Sequence, residues 1–216
     1  MKTSPSPRKY LVWLILSLCP IVGLAQDLKD TQLPLPQTDG GRPLMQVLKD
    51  RQSTRDFHPD KLPPQILSDM LWAGFGINRS DGRRTAPSAS NKQEIDIYVA
   101  TADGLYIYDA KGNRLSHVLR EDVRSKTGIQ PFVKDAPANL VYVADLARTG
   151  ADSAERDMDV AADTGFIAQN VYLYCASEGL ATVVRGSIDR RALANAMHLR
   201  PNQRIILAQT VGYPQK

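Results

Sequence analysis

Two arginines and two hydroxyl residues fall within five consecutive positions of the sequence, residues 51–55. Arg51 and Arg55 each offer a rigid fork of hydrogen-bond donors, and Ser53 and Thr54 add hydroxyl groups between them. This set of donors suits an anion such as a phosphate group. The same residues are also typical of a solvated helix end with ordinary capping side chains. The pentapeptide by itself leaves both interpretations open.

A second polar stretch, residues 87–91, reads Pro-Ser-Ala-Ser-Asn and again combines short hydroxyl side chains with an amide. It ends a polar loop, residues 78–91, that is rich in arginine, serine and glycine. An alternating apolar run follows directly and predicts a strand. The elements around the two stretches decide whether they can act together.

The composition is that of an ordinary soluble globular domain. Of the chain's residues, 43% are hydrophobic and 23% are charged. A length of 216 residues is enough for one domain with a sizeable core. The net charge of +4 falls to +1 once the first 25 residues, which hold Lys2, Arg8 and Lys9, are removed. A near-neutral chain gives no reason to expect binding to nucleic acid or to a membrane surface.

Residues 1–25 predict a secretory signal peptide. Arg8 and Lys9 precede an apolar run, residues 11–18, and a Gly-Leu-Ala sequence at residues 23–25 resembles a cleavage site. The run is short for a membrane-spanning helix, which needs about 20 residues, although an uncleaved anchor is the alternative. We therefore expect a periplasmic or secreted protein.

Residues 26–42 predict an N-terminal arm outside the core. They are mostly polar and contain two prolines and a Gly-Gly pair, which are typical of loops. We expect this arm to be disordered or to wrap around a partner surface, and the domain itself to span residues 43–216.

Apolar residues recur at helical spacing in four segments, which are predicted to be helices. Proline opens the second helix and Gly179 ends the third, in positions that suit both residues. The third helix is apolar on several sides, which predicts burial in the centre of the domain or at a subunit interface. The predicted helices span residues 44–51, 63–76, 157–179 and 189–197, and residues 121–134 are expected to be helical in part.

Strand signals lie between these helices. Residues 95–99 alternate apolar and polar side chains, as a strand with one buried face does. Residues 104–108 predict a further strand, and residues 109–113 predict a hairpin turn after it. Apolar strands are also predicted at residues 140–143, 182–184 and 205–211. Strands interspersed with helices indicate a mixed α and β domain with one sheet.

The sequence offers no catalytic nucleophile and no metal site. His58, His117 and His198 lack metal-ligand spacing, and neither a Gly-x-Ser-x-Gly nor a His-Glu-x-x-His motif is present. Cys175 falls in the apolar third helix and is interpreted as a small buried hydrophobic residue, with no partner for a disulfide once the signal segment is removed. Residues 74–76 read Gly-Phe-Gly but follow a helix rather than a strand, so they predict no dinucleotide site. Four tyrosines are interpreted as packing residues: Tyr106, Tyr108, Tyr172 and Tyr174.

Taken together, four stretches resemble the FMN-dependent nitroreductase family. Residues 51–55 are similar to its R-x-S-x-R/K signature, and residues 87–93 with the strand after them are similar to its P-S-x-x-N-x-Q loop. Residues 178–186 resemble the segment after the family's long central helix, and residues 205–214 resemble its C-terminal strand. The four stretches occur in the family's order and cover about residues 43–216. Each motif alone is weak evidence for the family, but the ordered set is specific for it. The likeness is loosely nearest to the branch that includes azoline-oxidising dehydrogenases.

This resemblance implies an α+β fold of three layers, α/β/α, in which helices wrap a mostly antiparallel central sheet. It also implies an obligate homodimer that binds FMN at the subunit interface with residues of both chains. Arg51 and Ser53 would contact the phosphate or the ribityl chain, and Arg55 would contact the phosphate or the pyrimidine side of the ring. Lys216 is the candidate for the family's second basic phosphate contact, which follows the last strand.

The resemblance also implies partners for the flavin ring. Asn91 has the donor and acceptor that the pyrimidine edge requires, with Ser90 or Gln93 nearby. The backbone amides of Arg185 and Gly186 match positions that point at flavin N5, where a donor would stabilise developing negative charge. The expected cofactor-binding residues are Arg51, Gln52, Ser53, Arg55, Ser88, Ser90, Asn91, Gln93, Arg185, Gly186 and Lys216.

These features predict an exported FMN-dependent oxidoreductase that transfers two electrons, as hydride, through flavin N5 in a ping-pong cycle between a small-molecule donor and acceptor. No catalytic side chain is expected, because the flavin carries the chemistry. Nicotinamide nucleotides are cytoplasmic reductants, so an exported enzyme would need another donor or would oxidise an extracytoplasmic substrate. The alternatives are a flavin-binding or scaffold dimer without turnover, and a dimeric module that binds another anion at residues 51–55.

Overall fold

The computed structural model describes Met1 and residues 29–215. The predicted signal peptide, apart from Met1, and the candidate phosphate contact Lys216 lie outside the described residues. Within residues 29–215 no helix has the length and apolar character needed to cross a membrane.

The described residues form one eight-stranded sheet in which every pair of neighbouring strands is antiparallel. The spatial order is β1-β5-β4-β3-β6-β8, and β7 and β2 pair with successive parts of the long β8. The strands are β1 (Thr31–Gln32), β2 (Phe57–His58), β3 (Ile95–Thr101), β4 (Gly104–Asp109), β5 (Arg114–Leu119), β6 (Ala138–Asp145), β7 (Ala181–Arg185) and β8 (Gln203–Pro214).

The described helices cover both faces of this sheet. They are α1 (Leu44–Asp50), α2 (Pro64–Phe75), α3 (Ala154–Glu178) and α4 (Arg190–Ala196). Because side chains alternate along a strand, Ile97 and Val99 of β3 pack into the core with α2 and α3, whereas Tyr98 and Ala100 pack into the core with α4. All eight residues of β6 are buried, as a central strand covered on both faces requires. The predicted three-layer α+β fold with an antiparallel sheet is confirmed.

The long helix α3 begins and ends at residues that suit those positions. The Ser153 side chain accepts a hydrogen bond from the Arg156 N–H, which places the start of the helix a few residues before the predicted one. Gly179 takes the left-handed conformation, φ 69°, and ends the helix as predicted. At Gly74 of α2 an added Cβ would lie 3.0 Å from the Val171 side chain, so α2 and α3 approach closely there.

Only one face of α3 is buried within the chain. Val160, Ile167 and Val171 point into the core, whereas Met158 is 67% exposed and Phe166 is 48% exposed. The expectation of central burial on several sides is therefore not met by the single chain, and the interface alternative remains a prediction.

The segment before α1 packs against the domain, in contrast to the expected arm outside the core. Thr31 and Gln32 pair with β5, and Leu33 is 3% exposed within the main core. The Gln37 N–H donates to Asp69 Oδ1 at 2.7 Å. The polar composition concealed this because one apolar side chain, Leu33, and backbone hydrogen bonds are what attach the segment.

Candidate functional site

Residues 51–55 continue from the end of α1 and run along the free edge of β7. The Thr54 N–H donates to the Thr182 carbonyl at 2.9 Å, which attaches the segment to the sheet. Arg51 is half-buried, while Ser53 and Arg55 are exposed. The structure therefore places the signature at the exposed edge of the sheet, where its side chains are accessible.

A tyrosine on α3 joins this segment to β7. The Tyr172 hydroxyl lies 2.8 Å from Ser53 Oγ and accepts the Val184 N–H at 2.9 Å. The Arg51 guanidinium lies 5.3 Å from the centre of the same ring, within the range of a cation–π contact. Tyr172 thus has a polar role that its interpretation as a packing residue missed.

The two arginines of the segment have no acidic partner in the part of the chain that the structure describes. Among the described residues, Arg51 has only the ring contact, and Arg55 makes neither a hydrogen bond nor an ion pair. The two guanidinium groups, which flank Ser53 in sequence and have no acidic partner among residues 29–215, supply donors of the kind that a dianionic phosphate requires. Gln52 lines a cleft beside this edge of β7, together with Thr54, Tyr172 and Thr182.

Arg185 is the last residue of β7, and Gly186 follows it. In an antiparallel ladder, successive backbone N–H groups point to opposite sides of the strand. The Val184 N–H points away from β8, to Tyr172, so the Arg185 N–H points toward β8. If the alternation continues one residue past the end of β7, the Gly186 N–H points to the same edge as the Val184 N–H. The pairing therefore favours Gly186 over Arg185 as the amide donor at this edge.

The Arg185 side chain turns into the protein and is 4% exposed. It donates to Thr210 Oγ1 (3.0 Å), the Thr127 carbonyl (2.7 Å) and Asn139 Oδ1 (3.0 Å), with no carboxylate partner in the described part of the chain. Burial lowers the pKa of this guanidinium to about 10. Gly128 fits tightly against it, since an added Cβ would lie 1.9 Å from Nη1. This buried cation ties β6, β7 and β8 together.

Residues 88–93 form a tight loop before β3. Ser88 Oγ accepts the Gln93 N–H at 3.0 Å, and the Gln93 side-chain amide donates to Asn91 Oδ1 at 3.0 Å. Ser90, Asn91 and Gln93 have positive φ angles of 52°, 55° and 49°, which non-glycine residues rarely adopt. Ser88 and Gln93 therefore shape the loop, whereas Ser90 and Asn91 are exposed and accessible to a ligand.

The two candidate stretches lie near different ends of α3. The Ala89 N–H donates to Asp163 Oδ2 at 2.9 Å, whereas Ser53 meets Tyr172. Asp163 and Tyr172 are nine residues apart in sequence, about 14 Å along a helix. Within one chain the structure does not gather the predicted contacts into a single pocket.

A cavity of about 440 Å³ lies elsewhere, between the segment before α1 and helices α1, α2 and α3. Trp72, Asp69, Tyr174 and Glu178 are among its lining residues, and none of the predicted cofactor contacts within residues 29–215 lines it. The cavity is therefore distinct from the edge of β7.

Sequence reasoning also missed Arg84, which supports the 88–93 loop. Its Nε donates to Gln93 Oε1 at 2.8 Å, and its guanidinium lies 4.4 Å from the centre of the Phe75 ring.

Asp163 was also missed, although an acidic residue in an apolar helix is a signal that could have identified it. No local signal connects Ser53 with Tyr172, because 119 positions separate them.

A sequence model of the Nitroreductase family matches residues 48–213. The chain belongs to the nitroreductase family. A crystal structure from Ralstonia eutropha, described as a nitroreductase, is similar to this chain with 45% identity and a TM-score of 0.82, covering 87% of this chain and 90% of that one. A curated nitroreductase homologue from Methanocaldococcus jannaschii is 32% identical over 155 residues, 67% of this chain and 78% of the relative.

More distant nitroreductases share the fold. Nitroreductase A from Vibrio parahaemolyticus is 24% identical, with a TM-score of 0.63, over 80% of this chain and 68% of that one. The predicted family is confirmed, and the chain is accordingly a nitroreductase-family oxidoreductase. The roles of individual residues and the closeness to the azoline-dehydrogenase branch stay predictions.

Proposed function

We propose that this nitroreductase-family chain is an exported FMN-dependent oxidoreductase that works as a homodimer. The observation that carries the proposal is that Arg51 and Arg55, which flank Ser53 in sequence at an accessible strand edge, have no acidic partner among residues 29–215. Family membership supports the same cofactor, since FMN is the group for which the family's signature is known.

Arg51, Arg55 and Ser53 would hold the phosphate and the ribityl chain by charge-assisted hydrogen bonds. Gly186 would offer its amide to the ring near N5, and a fixed backbone donor there favours negative charge in the transition state. When bound, the flavin supplies two-electron hydride transfer at N5, reduced by one small molecule and oxidised by a second in a ping-pong cycle. The chain's own contribution is to bind, orient and polarise the ring.

Homodimerisation is supported by an exposed stripe on α3. The stripe consists of Met158, Ala161, Ala162, Gly165, Phe166 and Gln169, which recur at helical spacing. An added Cβ at Gly165 would meet nothing within 4 Å, so the chain's own packing does not explain a glycine that costs helix stability. Close approach of a second helix explains both the glycine and the exposed Phe166.

The dimer would also bring the separated stretches together. A two-fold axis across the stripe makes the two α3 helices antiparallel. With the axis crossing α3 midway between Asp163 and Tyr172, the Asp163 end of one helix, with its 88–93 loop, lies toward the Tyr172 end of the other. Ser90 and Asn91 would thus reach the flavin that is held by Arg51 and Arg55 of the second chain.

Export is supported by the sequence of residues 1–25, with its basic start, apolar run and small-residue cleavage motif. We therefore place the enzyme in the periplasm or outside the cell. There the electron donor is a small molecule available outside the cytoplasm, and the second substrate is the acceptor that restores the oxidised flavin.

Anaerobic spectroscopy of the purified protein tests this function. The proposal predicts a yellow protein with FMN absorbance that bleaches with a reductant and recovers with an acceptor. A protein that holds FMN but never turns it over would replace the enzyme with a flavin-binding scaffold. A colourless protein that does not bind added FMN would overturn both and leave an anion-binding module at residues 51–55.

A further inference from the structure

A buried carboxyl group without a hydrogen-bond partner lies beneath the 88–93 loop. Glu94, between the loop and β3, is 1% exposed, and neither side-chain oxygen has a hydrogen-bond partner among the described residues. An ionised carboxylate is strongly disfavoured in such a site unless donors surround it. The geometry therefore calls for a proton on this group or on its neighbour.

Asp163 on α3 is that neighbour. It is 3% exposed, and its Oδ2 accepts the Ala89 N–H of the loop at 2.9 Å. Two adjacent buried carboxyls cannot both ionise at low cost, so a single proton between them satisfies both. A proton on Glu94 could then be donated to the neighbouring Asp163 side chain, whose Oδ2 accepts the Ala89 N–H. Burial, and after it the charge of Asp163, raise the pKa of Glu94 to about 7.

The other charged groups around the pair do not supply the missing partner. Lys92 of the loop lies 3.8 Å from Asp159, which is one turn before Asp163 on α3. On the β6 side, the Asp145 N–H donates to the Glu94 backbone carbonyl, and the Asp145 carboxylate lies 3.6 Å from Arg148. A proton shared with Asp163 is therefore what gives the Glu94 side chain a hydrogen-bond partner.

The loop above this pair needs support from its surroundings. Three of its non-glycine residues hold positive φ angles, and such conformations persist only where neighbouring contacts impose them. The bond from the Ala89 N–H to Asp163 attaches the loop to α3 immediately before the first of these residues, Ser90.

We propose that Glu94 is a positioning residue: it shares a proton with Asp163, keeps that carboxylate under Ala89, and so maintains the loop shape that presents Ser90 and Asn91. Presentation to a flavin rests on the proposed function. The effect on the loop does not, and it can be measured on the chain without flavin.

Hydrogen exchange of the Ala89 amide in the flavin-free chain reports the opening of the loop. Opening exposes Glu94 to water, where its carboxyl ionises at its ordinary pKa, so a higher pH favours the open state. After correction for the intrinsic rate, protection of Ala89 should fall by up to about tenfold per pH unit from about pH 4.5 to about pH 7 and then level off. The Ala192 amide, which donates to Asp189 Oδ1 at 3.0 Å at the start of α4, is the reference without a buried acid and should lack this dependence.

Three variants separate a shared proton from simple packing. Glu94→Gln supplies a donor that does not titrate, so it should keep Ala89 protected and remove the pH dependence. Glu94→Ala removes the donor and should speed Ala89 exchange about tenfold or more at pH 6, the loss of one hydrogen bond. Glu155→Gln makes the same chemical change at an exposed position of α3 and should behave as the wild type.

Two results would overturn the proposal. One is an Ala89 pH dependence equal to that of Ala192 in the wild type, and the other is a Glu94→Gln loop as open as that of Glu94→Ala. FMN titration adds the link to function, since Glu94→Ala should bind FMN more weakly than Glu94→Gln. If the wild type binds no FMN, the proposed function fails, while the exchange data still decide the role of Glu94 in the loop.

Discussion

Replacing Tyr172 with phenylalanine removes the hydroxyl group that joins Ser53, a candidate flavin contact, to the edge of β7. The hydroxyl lies 2.8 Å from Ser53 Oγ and accepts the Val184 N–H at 2.9 Å, while the ring that faces Arg51 is retained. Each such bond contributes about 0.5–1.5 kcal/mol net. Water can replace the bond at the exposed Ser53, so we expect Tyr172→Phe to lower the free energy of unfolding by about 1–2 kcal/mol.

Urea unfolding of the flavin-free chain measures this change, and fluorescence titration measures FMN affinity. Loss of the fixed Ser53 hydroxyl should weaken FMN binding by up to about tenfold, equivalent to about 1.4 kcal/mol. Tyr174→Phe is the matched control, because the Tyr174 hydroxyl makes no hydrogen bond within residues 29–215. If the two variants unfold at the same free energy, Tyr172 does not join the 51–55 segment to β7.

Three further changes test other parts of the structure. Phe166→Glu puts a charge into the proposed α3 interface and should turn a dimer into a monomer in sedimentation, whereas a variant that stays dimeric would exclude this interface. Gly128→Ala would place a Cβ 1.9 Å from Arg185 Nη1, so we expect a loss of about 2 kcal/mol or more in thermal unfolding, and an unchanged Tm would contradict the packing. The pKa of Glu94 is about 7 in the fold against an ordinary 4.5, so its contribution to stability is fully present below about pH 4.5 and is lost by about pH 7. We expect Glu94→Gln to abolish this loss, which is on the order of 3 kcal/mol, in urea unfolding measured across that pH range. An equal dependence of the unfolding free energy on pH in both proteins would refute it.

Local patterns predicted the elements well because each depends on neighbouring residues. The 95–99 alternation became β3, the turn at residues 109–113 joins β4 and β5, and Gly179 ends α3. The hairpin is held by Asp109 Oδ1, which accepts the N–H groups of Lys111 and Gly112. Such short-range hydrogen bonds depend on residues close together in sequence, so the local sequence predicts them.

Contacts between distant residues were not predictable in the same way. Leu33 looked like part of a polar arm, yet it is buried because Thr31 and Gln32 pair with β5, more than 80 positions away. The polar role of Tyr172 likewise depends on Ser53 and on the edge of β7. These arrangements follow from the assembled sheet, and no local periodicity encodes them.

The candidate site was predictable as a set of residues rather than as a geometry. The motif order identified the 51–55 segment and the 88–93 loop, but their separation along α3 appears only in the structure. The alternation of β7 distinguishes Gly186 from Arg185, whose side chain is a buried tie between strands. Glu94 carried no motif, and its importance comes from the absence of a partner in its buried site.

The most direct test of the account is FMN titration of the double variant Arg51→Ala, Arg55→Ala against the wild type. Removing two charged hydrogen-bond donors, each contributing about 1.5–3 kcal/mol, should weaken FMN binding more than about 100-fold, while the wild type binds one FMN per chain. Arg83→Ala with Arg191→Ala removes the same charge from exposed positions on another loop and on α4, and should bind like the wild type. A double variant of Arg51 and Arg55 that still purifies with stoichiometric FMN would contradict the placement of the phosphate.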